Sequence, residues 1–150
     1  MLAEVMLDTN VLLYAISDHP EESEKRAIAR ALISQENWGL SVQVLQEFYV
    51  NVTRTKIAGQ VPAMSFEQAS QAVEQFLAFP VIANTPLLLR RAIQLHRTHS
   101  TSFWDASILA AAHELGARQL LSEDLNDGQS YGDVIVSNPF KGLSSRSQFR

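Results

Sequence analysis

Short apolar runs that alternate with stretches of helical spacing constrain this chain more than any other feature. They are Val5-Met6-Leu7, Trp38-Gly39-Leu40-Ser41, Pro80-Val81-Ile82, Gln119-Leu120-Leu121-Ser122, and Val134-Ile135-Val136. Strands this short and mostly apolar are buried on both faces, which calls for parallel pairing with helices above and below the sheet. The expected class is α/β, with a mainly parallel sheet and a high helix content.

The intervening stretches carry helix signals. Thr9 to Ile16 reads as a short helix. Asp18-His19-Pro20-Glu21-Glu22 then opens another, with an Asp cap, an early proline and acids in the first turn. Its apolar positions Ala27, Ile28, Ala31 and Leu32 share one face. Ser41 is placed to cap a helix running through about Arg54, with Val44, Leu45, Phe48 and Val52 toward the core. Lys56 to Met64, with Gly59 and Pro62, reads as an exposed connection. Ser65 to Phe79 is amphipathic, and Ser65 followed by Gln68 forms a capping-box pattern. Thr85-Pro86 starts a helix through about His99. Ser102 starts the last one, with Trp104, Ile108, Ala111, Ala112 and Leu115 expected in the core and Gly116 as its C-cap. Residues 1–140 are expected to form one domain, and the Ser- and Arg-rich stretch 141–150 a frayed tail.

Composition narrows the function. The chain has 150 residues, 46% hydrophobic and 19% charged, which is ordinary for a globular domain. Its net charge is −4, so any binding of nucleic acid must work through local cations. The absence of cysteine excludes disulfides, thiolate metal sites and a cysteine nucleophile. The first residues carry Glu4, Asp8 and Asn10 and no basic segment, so no secretory leader is expected. No apolar run approaches the roughly 20 residues that span a bilayer. A cytoplasmic protein without membrane attachment is the expectation.

Four acids do not follow the packing pattern. Asp8 ends the first apolar run, at the strand edge where open α/β sheets bind ligands, yet it equally suits a helix cap. Glu47 lies in the helix after the second strand, where Asn51 and Arg54 would also suit a solvated face. Asp105 stands in the first turn of its helix, a position that the helix dipole favours by itself. Asp124 comes two residues after Ser122, and Asp127 follows; turn chemistry accounts for either. Together the separate explanations weaken. Four carboxylates at one sheet edge would repel and raise one another's pKa unless cations compensate. Hard divalent ions such as Mg2+ or Mn2+ prefer oxygen ligands and also bind phosphodiester oxygens. An acidic protein can thus act on an acidic polymer. His96 and His99 lie three apart but lack a third ligand, and there is no Gly-rich phosphate loop or serine-nucleophile turn.

Leu7-Asp8-Thr9-Asn10-Val11-Leu12-Leu13-Tyr14-Ala15, Val44-Leu45-Gln46-Glu47-Phe48, the Ser102 to Ala112 segment and Leu120-Leu121-Ser122-Glu123-Asp124-Leu125-Asn126 resemble a PIN-domain ribonuclease. The resemblance is nearest to the VapC-type toxins of bacterial toxin–antitoxin pairs and runs from Val5 to Phe140. It implies a Rossmann-like three-layer α/β/α sandwich with a mainly parallel sheet of about five strands. It also implies Mg2+- or Mn2+-dependent endonucleolytic cleavage of RNA that leaves a 5′-phosphate and a 3′-hydroxyl. The family's four acids map onto Asp8, Glu47, Asp105 and Asp124. Asp8, Asp105 and Asp124 would ligate metal, and Glu47 would ligate it or orient the attacking water. Asn10 and Ser122 fill supporting positions, with Asp127 secondary. An antitoxin partner and self-association as a homodimer are further implications. Phe66, Phe76 and Phe79 could supply apolar surface for the homodimer or simply join the core.

Arg54, Arg90, Arg91 and Arg97 are candidates for phosphate contacts, although a solvated face accounts for each more simply, and Trp104 could stack on a base instead of joining the core. Two other readings stay open. Asp8 could be the nucleophile of a haloacid-dehalogenase-type phosphatase, although Asn10 stands where that chemistry wants a second aspartate. A non-catalytic module binding metal or a basic peptide is the other.

Overall fold

The computed structural model describes residues 2–55 and 59–143. Strand β1 (Val5–Leu7) leads into helix α1 (Thr9–Ala15), and a 3-10 turn (Pro20–Glu22) into α2 (Ser23–Ile33). There follow β2 (Trp38–Ser41), α3 (Val42–Thr53), α4 (Phe66–Phe76) and β3 (Val81–Ile82). The chain continues with α5 (Pro86–His99), α6 (Phe103–Leu115), β4 (Gln119–Leu121), β5 (Ser130–Tyr131) and β6 (Val134–Ser137).

The strands form one six-stranded sheet in the order β3-β2-β1-β4-β6-β5. All pairings are parallel except β5 with β6. The sequence led to about five strands; the sixth is β5, a two-residue edge strand, too short to show a periodicity of its own. α6 lies across the sheet with α5 packed on it, while α1 packs on α2 and α3, and α3 on α4. The result is the three-layer α/β/α sandwich.

Two consecutive strands, β2 and β3, extend to one side of β1, and the chain then crosses to lay β4 on the other. The order therefore reverses between β1 and β4, and in open α/β sheets the crevice at that point is where ligands bind. Every residue of β2 is buried, as a strand covered on both faces requires. Gly39 is needed where α6 crosses this strand: a Cβ there would lie 2.8 Å from the Leu115 side chain and 2.9 Å from the Pro80 carbonyl oxygen.

Local chemistry sets the helix ends. Ser41, Thr85 and Ser102 each accept a backbone N–H in the first turn of α3, α5 and α6. Ser65 and Gln68 close a reciprocal capping box on α4, which stops at Phe76 and not Phe79. Gly116 ends α6 at a φ of 78°. Phe76 packs edge-on to Phe48 and Phe79 stacks on Trp38, while Phe66 is exposed.

Three expectations are corrected. Asp18 caps nothing: the 3-10 turn is preceded by His19, and α2 by Glu22, neither with a side-chain cap bond. The buried positions of α2 are Lys25 and Ala29, with Ile28 and Leu32 half-buried and Ala27 and Ala31 exposed. The face is turned because the Lys25 ammonium is drawn inward onto Glu123. Trp104 is 66% exposed and outside the core. α6 is apolar nearly all round, so helical spacing does not select its inner face. The connection expected over Lys56 to Met64 falls partly outside the described residues, at 56–58, as does most of the tail, at 144–150. Among the described residues no helix is long and apolar enough to cross a membrane.

Candidate active site

β1 delivers Asp8 to the reversal point of the sheet, and the Asp8 N–H donates to the Leu121 carbonyl at 3.0 Å, fastening the ends of β1 and β4 together. The carboxylate is 1% exposed. Its two oxygens have different tasks. Oδ1 accepts the Thr9 N–H at 2.7 Å, as a cap at the start of α1 would. Oδ2 accepts from the Ser122 hydroxyl at 2.6 Å and from the Asn10 amide at 3.4 Å. Capping accounts for one oxygen; the other meets the nearby Asn10 amide and the Ser122 hydroxyl from the far end of the sequence.

Asn10 is the hub. Its Nδ2 donates to Asp124 Oδ2 at 2.8 Å, approaches Ser122 Oγ at 3.3 Å and reaches Asp8 Oδ2. Its Oδ1 accepts the Glu123 N–H at 3.4 Å. Ser122 is fully buried, and its Oγ also accepts the Asp124 N–H at 3.1 Å. Two carboxylates from opposite sides of the reversal point are thus drawn onto one amide. From Asp8, buried, to Asp124, exposed, the site opens to solvent.

Glu47 joins from α3. Its Oε1 accepts the Thr9 hydroxyl at 2.9 Å. Further along α3, Arg54 donates to Asn51 at 3.1 Å and Asn51 donates to the Glu47 carbonyl. Asp105 is half-buried in the first turn of α6, its N–H capped by Ser102 at 3.1 Å. No hydrogen bond ties its carboxylate to the other three acids. Its charge is felt by Tyr131, whose phenol is pushed up by burial and, secondarily, by Asp105.

Asp127 stands apart from this cluster. Its Oδ1 accepts the Asn138 N–H at 2.8 Å and its Oδ2 pairs with Lys141 at 3.2 Å. The Asn138 hydrogen bond, then Lys141, hold its carboxyl below the usual range. Arg54, Arg90 and Arg97 are exposed, whereas Arg91 meets Glu114 at 3.9 Å. His96 is engaged with the Thr101 carbonyl, and His99 lies against the Tyr131 ring. Three residues that the sequence did not point to buttress the cluster: Tyr14, Lys25 and Glu123. Nothing in the pattern of α2 marks Lys25 as buried, and Glu123 reads as one more acid in a polar turn.

The donor chemistry suits a hard cation, since Asp8, Asp124, Glu47 and Asp105 offer only oxygens. The spacing is looser: among the described residues, no three His, Asp or Glu side chains stand ready-made around one ion. Asp8 and Asp124 are the two that already converge.

A family profile described as the PIN domain matches residues 5–126, a span that contains all four acids. The chain belongs to the PIN-domain family. Solved structures share its fold. A toxin–antitoxin complex from Klebsiella pneumoniae is 19% identical, with a TM-score of 0.64 over 91% of this chain and 98% of that one. VapC20 of Mycobacterium tuberculosis, a sarcin-ricin-loop-cleaving toxin, is 19% identical, with a TM-score of 0.60 over 81% and 92%. DNA-bound VapBC from Salmonella typhimurium is 15% identical, with a TM-score of 0.62 over 91% and 98%. No curated protein matches. At these identities the likeness concerns the fold.

Proposed function

We propose that this PIN domain is a Mg2+- or Mn2+-dependent endoribonuclease and the toxin of a toxin–antitoxin pair. The observation that carries the reading is the convergence of Asp8 and Asp124 on the Asn10 amide at the reversal point of the sheet. Membership of the PIN family supports it. The Klebsiella neighbour is a toxin–antitoxin complex and the Mycobacterium neighbour a sarcin-ricin-loop-cleaving toxin, and the proposal extends both roles to this chain.

Asp8 and Asp124 would hold the cation, with Glu47 and Asp105 completing the acidic rim. Such an ion supplies positive charge for the scissile phosphate and makes water a better nucleophile. The chain's own residues fix the geometry. Ser122 and Asn10 hold Asp8 Oδ2 at one point, and Thr9 aims Glu47. Glu47 is the acid left to orient a water toward phosphorus. Trp104, exposed beside Asp105, offers a face on which a base can stack, and its backbone is held by a Gln43 bond at 3.2 Å. The exposed Arg54, Arg90 and Arg97 would supply phosphate contacts. A cognate antitoxin, a second copy of the chain and a cytoplasmic site of action complete the proposal.

The test uses structured RNA incubated with Mn2+ or Mg2+, with a chelator arm and an Asp8→Asn arm. Cutting that needs the metal and disappears in the variant is expected. RNA left intact under every condition would sink the reading.

A further inference from the structure

A buried ammonium lies behind the acidic cluster. Lys25 is 2% exposed, and its Nζ meets Glu123 Oε2 at 2.8 Å and the Tyr14 hydroxyl at 3.2 Å. The same Nζ stands 4.7 Å from the Tyr14 ring centroid and 5.8 Å from that of Phe140. The Tyr14 hydroxyl donates to the other Glu123 oxygen. Both carboxylate oxygens are therefore held, one by the ammonium and one by the phenol.

Burying such a pair is a poor way to gain stability, because desolvation offsets most of the attraction and an apolar replacement often serves as well. Its location supplies another use. Glu123 lies between Ser122 and Asp124, and its own N–H donates to Asn10. Tyr14 lies one helical turn beyond Asn10 on α1. With the Glu123 side chain anchored on the inner side, its neighbours Ser122 and Asp124 are turned toward Asn10 and Asp8.

We propose that Lys25 is a positioning residue for the acidic site: through Glu123 and Tyr14 it sets the Ser122–Asp124 segment so that Asp124 meets Asn10. Its consequence for cation binding rests on the nuclease reading; the placement of the segment does not.

The experiment compares wild type, Lys25→Met and the double variant Lys25→Met/Glu123→Met, with Tyr14→Phe as a milder version should Lys25→Met fail to fold. Three quantities are read: the NMR shift of the Asn10 side-chain amide, Mn2+ affinity by calorimetry, and kcat and KM for RNA cleavage, alongside Tm. Lys25→Met is expected to move the Asn10 amide signal, to weaken Mn2+ binding about 10–100-fold, and to lower kcat by a similar factor with KM little changed. In the double variant Tm returns toward wild type while Mn2+ affinity stays low, which a purely structural role does not predict. A folded Lys25→Met protein with an unmoved Asn10 amide and wild-type Mn2+ affinity overturns the proposal and leaves the nuclease reading standing. Wild type that neither binds Mn2+ nor cuts RNA, with the Asn10 amide displaced in Lys25→Met, removes the nuclease reading and keeps the positioning role.

Discussion

Asp8 and Asp127 are both aspartates that accept a backbone N–H beside a turn, but their second oxygens differ. Asp127 Oδ2 reaches the exposed Lys141, fourteen positions on, and the turn is satisfied locally. Asp8 Oδ2 collects a hydroxyl and an amide, and the hydroxyl comes from a segment 114 positions away. An acid paired with a nearby cation has finished its chemistry. Asp8 is buried, and its Oδ2 shares the Asn10 amide with a second carboxylate, that of Asp124. On the proposed reading Asp127 serves its turn and Asp8 the site.

Substitutions can break or sharpen this contrast. The largest effect is expected from Asp8→Asn, where RNA cleavage falls by more than the roughly 10–100-fold typical of losing a supporting partner. Single-turnover cleavage assays measure it. Asn10→Ala follows: removing the amide that joins Asp8 to Asp124 lowers cleavage about 10–100-fold, with circular dichroism unchanged. Activity equal to wild type would show that the hub is dispensable. Ser122→Ala is expected to cost about 1–3 kcal/mol in chemical denaturation, because Asp8 loses a buried donor and the Asp124 N–H an acceptor. Asp127→Asn gives the smallest effect, with cleavage unchanged. Its signature is in pH. The folded-state carboxyl lies below its ordinary 3.8, so its contribution is complete above that value and is lost as acidification passes through the lower one. The Tm gap between wild type and Asp127→Asn is therefore open at neutral pH and closes in strong acid.

Much of the scaffold was legible because it rests on local chemistry. Ser41, Ser65, Thr85 and Ser102 begin helices since their side chains reach the first-turn N–H groups, and Gly116 ends one because it accepts a positive φ. Asp8 was legible as a strand-end acid but ambiguous in role, and the structure shows why: it caps with one oxygen and joins the cluster with the other. What stayed hidden depends on distant pairing. Lys25 reads as a surface lysine until Glu123, 98 positions away, is folded against it. Trp104 reads as core because α6 is apolar on most sides, and only the packed sheet reveals which side faces out. Asp127 differs from Asp124 only by the company each keeps.

The contrast between the two aspartates is tested most directly by titrating Mn2+ into isotopically labelled protein and mapping paramagnetic line broadening. The account predicts broadening centred on Asp8, Asn10, Ser122 and Asp124, abolished in Asp8→Asn and retained in Asp127→Asn. Broadening centred on Asp127 and Asn138, or a pattern unchanged by Asp8→Asn, would contradict it.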